Sequence, residues 1–475
     1  MSLALRPPPR WFFGSLVPLA AGLLWLIIGW NAAWPAAVLA SVPGLVLIAC
    51  GLALLLWPGD RYITHYLALV SPVGIVLAML MIVWLGPVDS VLLVLAAIAS
   101  FLTAGYAALL QQPLPAGVPV PDVRLSTLRK AATDEALLGF FVSCAHIPTG
   151  DEVARDAYEL GRMRVLGGQP DGPASFERLA AAPPAPEAAR IRRRRAHGCD
   201  FEWLTFDSGF VPDPALPGSA RWRAHRPNQR MAARVLRHPG GPRPWLICIH
   251  GYRMGIDALD SSLFGIRHMH DTLGMNLIMP ILPLHGCRSI ARITGGHFFD
   301  GPLVDLVHAQ AQALWDIRRC LAWVHATQPG AQVGTLGYSL GGYNAALLAS
   351  VEPSLACVIA GIPVVDIPAT VWAHMPLVHQ RYIESQGIDA RQLSAMMAPV
   401  SPLSRRCAVP HERRYLFAAT ADQLVSPEQP LALWRHWEEP AMHWYHGSHL
   451  SVRQESGGRS FVERALAESG LSAAP

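Results

Sequence analysis

The chain has 475 residues, more than one ordinary domain needs and enough for roughly two or three. Hydrophobic residues make up 52% of it and the mean hydropathy is +0.28, above the usual range of soluble proteins, so we expect part of the chain to lie in lipid. The net charge of +4 is small for this length and argues against a nucleic-acid partner. The eight scattered cysteines lack CxxC or Cys/His spacing, which argues against a zinc site or a disulfide framework.

Four apolar stretches follow one another at the N-terminus, each about 20 residues or longer and able to cross roughly 30 Å of hydrocarbon. Only Asp89, at one edge, is charged, and tryptophans such as Trp30 and Trp34 mark several ends, as at a membrane interface. A cleaved signal peptide is the alternative for the first stretch, but three more spans follow it and it has no clear cleavage site. We predict four transmembrane helices, at 11–30, 34–57, 62–85 and 88–110.

The loops between these spans predict their orientation. The connections around Asn31 and Asp89 carry no Lys or Arg, whereas the other flanks are basic. Cytoplasmic loops carry the excess of Lys and Arg, so we expect a multi-pass inner (plasma) membrane protein with both termini in the cytoplasm. The basic residues on that side are Arg6, Arg10, Arg61, Arg124, Arg129 and Lys130.

Residues 113–199 have the composition of a connector. A Pro-rich exit from the membrane, "QQPLPAGVPVPD", is followed by helical periodicity over 125–168. The basic low-complexity stretch "AAAPPAPEAARIRRRRAHG" comes next and is expected to be flexible. Its run of arginines at 192–195 could bind anionic lipid head groups, at roughly 1 kcal/mol per Arg, or could be a solvated linker. Both interpretations stay open.

From about Asp200 the chain alternates strand and helix patterns, the clearest helix covering 305–326. This alternation predicts a mostly parallel, eight-stranded sheet with helices on both faces, in which functional residues follow the carboxyl ends of the strands. We therefore divide the chain into a membrane domain (1–112), a connector (113–199) and an α/β domain (200–475). The strand patterns lie at 203–206, 232–236, 245–249, 276–279, 333–336, 356–360, 415–419 and 442–445.

The sequence "LGYSLGG" places Ser339 between a strand pattern and an Ala/Leu-rich helix pattern. Strand, Gly-x-Ser-x-Gly and helix in succession are typical of a nucleophile elbow, whose turn is so tight that Gly337 and Gly341 must lack bulk. The hydroxyl of Ser339 then lies at a helix N-terminus, where developing negative charge is favoured. We predict that Ser339 is a catalytic nucleophile.

A serine nucleophile needs a histidine base and a carboxylate, which follow it along the chain in the order Ser, Asp, His in this fold. Asp422 follows the seventh predicted strand and His449 follows the eighth, which makes them the candidate acid and base. Asp366, after the preceding strand, is an alternative acid. His443 and His446 are alternative bases, but His449 follows the small pair Gly447-Ser448, which would let its ring swing over the serine.

The oxyanion of an acyl-transfer intermediate needs two backbone N–H donors. One should be Leu340, directly after the nucleophile, and the other Tyr252, which follows the third predicted strand in "PWLICIHGYRMG". We interpret His250 as a residue that shapes this loop. The long loop "LPLHGCRSIARITGGHFFDG", with His285, His297 and Asp300, is expected to line the mouth of the pocket, with a plain surface loop as the alternative.

Several blocks of the α/β domain resemble the family of α/β-hydrolase domain-containing protein 18 and its bacterial relatives: "RPWLICIHGYRMG", "LPLHGCRSIARITGG", "DLVHAQAQALWDIRRCLAWV" and "LGYSLGGYNAALLAS". The resemblance covers roughly 200–455 and excludes the four spans. It implies an α/β-hydrolase fold and a serine hydrolase of acyl esters with the triad Ser339, Asp422 and His449. The mechanism of such a triad needs no metal or organic cofactor, and we expect none. The family often has a second small residue where this chain has Arg253.

The four predicted spans suggest the substrate, because a membrane-held esterase meets lipid acyl esters at high local concentration. Apolar residues at 363–410, including Met396 and Met397, could form a lid and an acyl path, or ordinary core. An acyltransferase, a thioesterase or a peptidase could use the same triad, and a non-catalytic membrane scaffold is the alternative from another class. The spans carry almost no polar groups, which argues against a transporter.

Overall fold

The computed structural model describes residues 12–57, 59–167, 172–196 and 198–472. Arg6, Arg10 and the first residue of the first predicted span lie outside the described residues. The chain forms two compact units. The first comprises the described residues up to Ala145 together with Ala419–Glu428 and Trp444–Glu455, and the second comprises the rest.

The first unit contains four helices that are long and apolar enough to cross a membrane, which confirms the prediction at the level of length and composition. The predicted break at 86–87 is instead a kink inside the fourth helix, where Gly86 has a φ of +78° and Pro87 follows. The third and fourth helices separate at Met81. The helices are α1 (Leu16–Trp30), α2 (Trp34–Leu56), α3 (Arg61–Leu80) and α4 (Ile82–Gln111).

A fifth helix, α5 (Leu125–Ser143), belongs to the same unit. It packs against α4 and α3 at two glycines. A Cβ added to Gly105 of α4 would be 2.0 Å from the carbonyl oxygen of Leu128 on α5. A Cβ added to Gly139 of α5 would be 2.7 Å from the carbonyl oxygen of His65 on α3. Helix α5 is therefore packed on the apolar bundle. It was predicted as part of a connector, whose later helix α6 (Gly150–Gly167) lies in the second unit.

In the described part of the chain, nine strands form one sheet in the order β1-β2-β3-β5-β4-β6-β7-β8-β9. The pairs from β5 through β4, β6 and β7 to β8 are parallel, while β1, β2, β3 and β5 pair antiparallel. The predicted mostly parallel sheet is confirmed, and its eight strand patterns correspond to β2–β9. The strands are β1 (Arg190–Ala196), β2 (Cys199–Asp207), β3 (Arg230–Leu236), β4 (Trp245–Ile249), β5 (Asn276–Pro280), β6 (Val333–Tyr338), β7 (Cys357–Gly361), β8 (Arg414–Ala419) and β9 (Ala441–Tyr445).

Strand β1 corrects two expectations. Among the described residues the sheet has nine strands and not eight, and the arginine run is a strand and not a flexible linker. Its residues are almost all exposed, and it pairs with β2 along its whole length, with Arg194 over the Trp203 ring at 4.4 Å. Charged side chains suit an edge strand because they discourage pairing with another chain. The pattern was hidden because an exposed edge strand has no apolar alternation.

Helices cover the sheet, and two of them are mostly buried. Helix α11 matches the predicted helix at 305–326, and every residue of α12 is buried. With the parallel sheet and the serine turn described below, this is the α/β-hydrolase fold. The remaining helices are α7 (Phe176–Leu179), α8 (Ser219–Ala224), α9 (Asp257–Phe264), α10 (Gly296–Asp300), α11 (Asp305–Thr327), α12 (Leu340–Ala349), α13 (Ile367–Ala373), α14 (Leu377–Ser385), α15 (Ala390–Met397), α16 (Glu428–His436) and α17 (Ser456–Glu468).

A buried ion pair fixes the long loop after β5. Arg288 has no exposed side-chain surface and donates to Asp316 Oδ2 on α11 at 2.7 Å, to the Ile281 carbonyl at 2.9 Å and to that of Asn228 at 3.0 Å. Ser208 donates to the other oxygen of Asp316 at 2.6 Å. Because each charge has a partner, the pair can be buried, and it ties the loop to α11.

Candidate active site

Ser339 connects β6 to α12 in a strained turn. Its φ of 57° and ψ of −115° are unusual for a residue with a side chain, and such strain is concentrated at functional sites. Gly337 and Gly341 have steric reasons to be glycine: an added Cβ would lie 2.0 Å from the Gly341 carbonyl oxygen at the first and 1.8 Å from that of Ile249 at the second. The turn therefore has the geometry that the sequence predicts for a nucleophile elbow, and that Ser339 acts as a nucleophile stays a prediction.

Leu340 is the first residue of α12, directly after Ser339. The first N–H groups of a helix have no partner within the helix, and the helix dipole favours negative charge there. The turn is anchored by hydrogen bonds from the Ser339 N–H to the Gly361 carbonyl at 2.9 Å and from the Tyr343 N–H to the Ser339 carbonyl at 3.0 Å. The N-terminal end of α12 can therefore stabilise an oxyanion formed at Ser339.

The loop after β4 lies beside this elbow. A Cβ added to Gly251 would be 3.6 Å from the Cβ of Ser339 and 3.4 Å from the Tyr338 carbonyl oxygen. Tyr252 follows, and its hydroxyl accepts a hydrogen bond from Arg253 Nε at 3.1 Å. Arg253 has a φ of 59°, a left-handed and strained conformation for a residue with a side chain. That Tyr252 donates to an oxyanion stays a prediction.

His250 connects two loops at the carboxyl ends of strands. Its Nε2 accepts the Leu282 N–H at 3.1 Å, so its Nδ1–H donates to the Gly251 carbonyl at 2.8 Å. Burial lowers the pKa of His250 to about 3, which keeps the ring neutral. This arrangement agrees with a loop-shaping role. His285 is fully buried beside it, so this histidine is a core residue of the loop, and that the rest of the loop lines the pocket mouth stays a prediction.

Asp422 and His449 form a buried pair within the first unit. The Nδ1–H of His449 donates to Asp422 Oδ2 at 2.7 Å, and Asp422 Oδ1 accepts the N–H groups of Leu424 and Val425 at 2.9 and 2.8 Å. Burial by itself lowers the pKa of His449, but the charges of Asp422 and Asp134 outweigh it and raise the pKa above its ordinary value. The geometry is that of a base oriented by a carboxylate.

Two loops carry this pair: the acid loop (residues 420–427) after β8 and the histidine loop (residues 446–455) after β9. They bond directly to one another and to the end of β9, since the Thr420 N–H donates to the Tyr445 carbonyl and the Ala421 N–H donates to that of Gly447, each at 3.0 Å. A residue that sequence analysis did not single out, Asp134 on α5, accepts the N–H of His449 at 2.8 Å. Nothing in the local pattern of a helix distinguishes such a carboxylate.

The alternative acid and bases have other contacts. Asp366 accepts the Ala369 N–H at 2.9 Å as the N-cap of α13 and is bonded by the Ser394 hydroxyl at 2.8 Å. His443 stacks on Phe461 with 5.7 Å between ring centroids, and His446 is exposed. These contacts suit structural or solvent-facing positions.

The segment predicted as a lid, residues 363–410, folds into α13, α14 and α15 in the second unit. Met396 and Met397 are buried. A cavity between α12 and α15 is lined by Tyr343, Ile367, Met397 and Leu403, among others. The two methionines therefore pack as core, and Met397 also lines this cavity.

Within the described residues, His225, His297 and Asp305 could hold a metal ion, because their ligand atoms lie within 4.8 Å of one another. Asp305 Oδ2 is 3.4 Å from His297 Nε2 and 3.6 Å from His225 Nε2. Its Oδ1, however, already accepts Arg221 at 2.8 Å, and the same guanidinium binds Glu159 through two hydrogen bonds. A permanent cation thus balances the cluster, which we interpret as an ion-pair network.

No family model matches the sequence. The chain is 42% identical over 330 residues to the uncharacterized protein Rv2627c of Mycobacterium tuberculosis (strain ATCC 25618 / H37Rv), a match that covers 68% of this chain and 76% of that protein. The chain belongs to the Rv2627c family. Another relative, the uncharacterized protein MT2702 of Mycobacterium tuberculosis (strain CDC 1551 / Oshkosh), is 42% identical over 303 residues, or 62% of this chain and 71% of that protein.

Solved structures similar to this Rv2627c family member include acetyl xylan esterase 1 from Thermoanaerobacterium sp. JW/SL YS485 (15% identity, 62% of this chain, 92% of that chain, TM-score 0.44). Others are the Pyrococcus furiosus esterase Pf2001 (14%, 59% and 92%, TM-score 0.34) and a puromycin-hydrolyzing peptidase of Mycobacterium tuberculosis (15%, 62% and 41%, TM-score 0.37). The α/β-hydrolase fold of the Rv2627c family member follows from its own strand order and serine turn.

Proposed function

We propose that this protein is a membrane-bound serine hydrolase that cleaves acyl esters, with Ser339, Asp422 and His449 as its triad. The observation that carries the proposal is the strained turn at Ser339, where both flanking glycines are sterically required. The buried Asp422–His449 hydrogen bond and the chain order Ser, Asp, His support it. The base is needed because a serine hydroxyl is a weak nucleophile until a neighbouring group removes its proton.

In the proposed mechanism, His449 Nε2 takes the proton of the Ser339 hydroxyl as the oxygen attacks the ester carbonyl. The N–H groups of Leu340 and Tyr252 stabilise the oxyanion, at about 2.7–4 kcal/mol for each donor. Collapse of the tetrahedral intermediate expels the alcohol, which takes the proton from His449. Water then attacks the acyl-enzyme with His449 again as base, which releases the acid and restores Ser339.

The acid of the triad acts through charge and tautomer. Asp422 accepts the Nδ1–H of His449, which leaves Nε2 as the basic nitrogen. Its negative charge, together with that of Asp134, raises the pKa of His449 against the effect of burial. A higher pKa makes the imidazole a better proton acceptor and stabilises the imidazolium that forms during attack.

The proposal also covers the location of the protein and the chemical class of its substrate. We place the four apolar helices in the inner (plasma) membrane with the hydrolase fold in the cytoplasm, as the basic loops indicate. A lipid acyl ester is the proposed substrate, because such a substrate is concentrated in the bilayer. We also propose that the chain belongs to the family of α/β-hydrolase domain-containing protein 18, on the basis of the four sequence blocks that resemble it.

A fluorophosphonate probe tests the nucleophile. Full-length protein in detergent should be labelled covalently, Ser339→Ala should abolish labelling, and His449→Ala should slow it greatly. His446→Ala is the matched control, because this exposed histidine is three residues away and should leave the rate unchanged. Labelling that survives Ser339→Ala, or none in folded wild type, would contradict the proposal.

The substrate class is tested separately. The protein is reconstituted into vesicles that contain a diacyl phospholipid with a fluorescent acyl chain. We expect it to release the fluorescent fatty acid. The rate of this release should exceed the rate of hydrolysis of a water-soluble short-chain ester at equal bulk concentration. Ser339→Ala measures the background. A preference for the soluble ester would remove the lipid assignment and leave the hydrolase assignment intact.

A further inference from the structure

One buried carboxylate holds both loops of the Asp422–His449 pair. Asp134 on α5 has no exposed surface. Its Oδ1 accepts the Ser448 hydroxyl at 2.9 Å and the Leu450 N–H at 3.1 Å, and its Oδ2 accepts the N–H groups of His449 at 2.8 Å and Gln423 at 3.2 Å. Both loops therefore bind the same side chain, which lies 289 residues before Gln423 and 315 before His449 in the sequence.

These four hydrogen bonds match an ionised carboxylate. All four partners donate, and a carboxylate offers about four acceptor positions and no donor. Three of the donors are backbone N–H groups, which must find acceptors when buried. Burial and, to a smaller extent, the charge of Asp422 raise the pKa of Asp134, while His449 and the N–H donors lower it, and the net pKa is about 7.

The other two carboxylates on α5 and the two loops, Glu135 and Glu455, are bonded to other groups. Glu135 faces α3, where it accepts the Thr64 hydroxyl at 2.6 Å and pairs with Arg61 at 3.5 Å. Lys130 pairs with Glu455 at the end of the histidine loop. Asp134 and Asp422 are therefore the carboxylates whose charges act on the His449 ring.

The apolar bundle also supports the acid loop directly. Gln112, directly after α4, donates to the Thr420 carbonyl at 2.8 Å and accepts from Gln423 Nε2 at 2.7 Å. Arg61, the first residue of α3, donates to the Gln423 carbonyl at 3.1 Å. Together with α5, which is packed on α3 and α4, these contacts attach both loops to the helices that we place in the membrane.

We propose that Asp134 is a positioning residue for the Asp422–His449 pair: it fixes the backbone of both loops and adds a second negative charge beside the imidazole. This inference rests on the proposed function, and it extends it, because the base and acid of the triad are then built on the membrane helices. It also revises the reason given for Gly447-Ser448. The Ser448 hydroxyl is fixed by Asp134, so this pair holds His449 in place.

Asp134→Asn tests the proposal against Glu135→Gln, its buried neighbour on the same helix with no bond to the histidine loop. An amide cannot accept four donors, so the loops should shift and the fluorophosphonate labelling rate should fall about 10- to 100-fold. The acidic limb of the rate–pH profile should move to lower pH, because one charge that raises the His449 pKa is gone. Glu135→Gln should leave the limb where it is.

Amide hydrogen exchange of the full-length protein gives a readout that does not need activity. Peptides containing His449 and Leu450, and those containing Gln423, should exchange faster in Asp134→Asn and not in Glu135→Gln. An unchanged limb with unchanged exchange would overturn the role of Asp134. If wild type fails to react with the probe but exchange changes as expected, the proposed function fails while the positioning contact stands.

Ser448→Ala covers the case in which Asp134→Asn does not fold. It removes one donor from Asp134 and leaves the backbone intact. Exchange should rise in the histidine loop and stay constant in the acid loop, with a labelling rate a few-fold lower. No change in either readout would overturn the proposal.

Discussion

Gly341 lies so close to the Ile249 carbonyl oxygen that an added Cβ would be 1.8 Å from it. Ile249 is the last residue of β4, and Gly341 is in the first turn of α12. The second glycine of the elbow is therefore needed less for its own backbone than for contact with the neighbouring strand. This contact sets how closely the N-terminal end of α12 approaches the loop that contains Tyr252.

Gly341→Ala should destabilise the protein by about 1–3 kcal/mol, because the added methyl group must displace β4 or α12. The fluorophosphonate labelling rate should also fall, since the Ser339 turn moves with α12. Gly161→Ala is the control, because Gly161 lies in α6 with open space around its added Cβ, and alanine there should be neutral or stabilising. Thermal unfolding and labelling of both variants check this; equal stability would contradict the steric argument.

Asp422→Asn should slow labelling by about 10⁴-fold, as loss of the orienting acid does in other triads. In wild type the rate should fall as the pH drops through the His449 pKa, which the two carboxylates raise above the ordinary value of about 6.5, because only the neutral ring accepts a proton. Rate–pH profiles measure both effects. Asp366→Asn should show neither, and a large loss there would identify Asp366 as the acid.

Arg288→Met should lower the free energy of unfolding by about 3–5 kcal/mol, because it leaves the Asp316 carboxylate buried without its cation. The comparison is Arg178→Met, which removes a largely exposed partner of Asp213 and should cost less than about 1 kcal/mol. Denaturant unfolding in detergent measures the difference. A similar decrease in the free energy of unfolding in both variants would show that the buried ion pair contributes no more to stability than the exposed one.

The orientation predicts which thiols are accessible from outside. Asn31→Cys, between α1 and α2, should react with a membrane-impermeant maleimide in intact cells. The native exposed Cys144, just after α5, should react only after permeabilisation. The reverse pattern would place the hydrolase fold on the other side of the membrane, and equal reactivity in intact cells would argue against the four-span topology.

Much of the architecture was readable from local pattern. Strands β2–β9 have short buried apolar runs, and the four N-terminal helices have long ones, so composition and length were sufficient to identify them. Strand β1 was not recognised because its residues face solvent and its stability comes from pairing with β2. The pair Gly86-Pro87 predicts a helix end, because proline disrupts the hydrogen bonds of a helix. In the structure the same pair is a kink inside α4.

Some residues of the candidate site can likewise be identified from local sequence, and others cannot. One short motif contains Gly337, Ser339 and Gly341, so the sequence alone identifies all three. Asp134 lies nearly 290 residues before the acid loop residue that it binds, in a helix with no motif. The burial of His285 likewise depends on tertiary packing, because nothing in the sequence of its loop distinguishes this histidine from an exposed one.

The sequence by itself determined the four apolar helices, the strand–helix alternation and the serine turn, because each depends on residues adjacent in the chain. Only the tertiary structure decided that Asp422 bonds His449, that Asp366 caps a helix, and that Asp134 holds both loops. The physical reason is that a hydrogen bond between distant residues depends on how whole elements pack, and the local pattern of a single helix or loop carries no record of its partner.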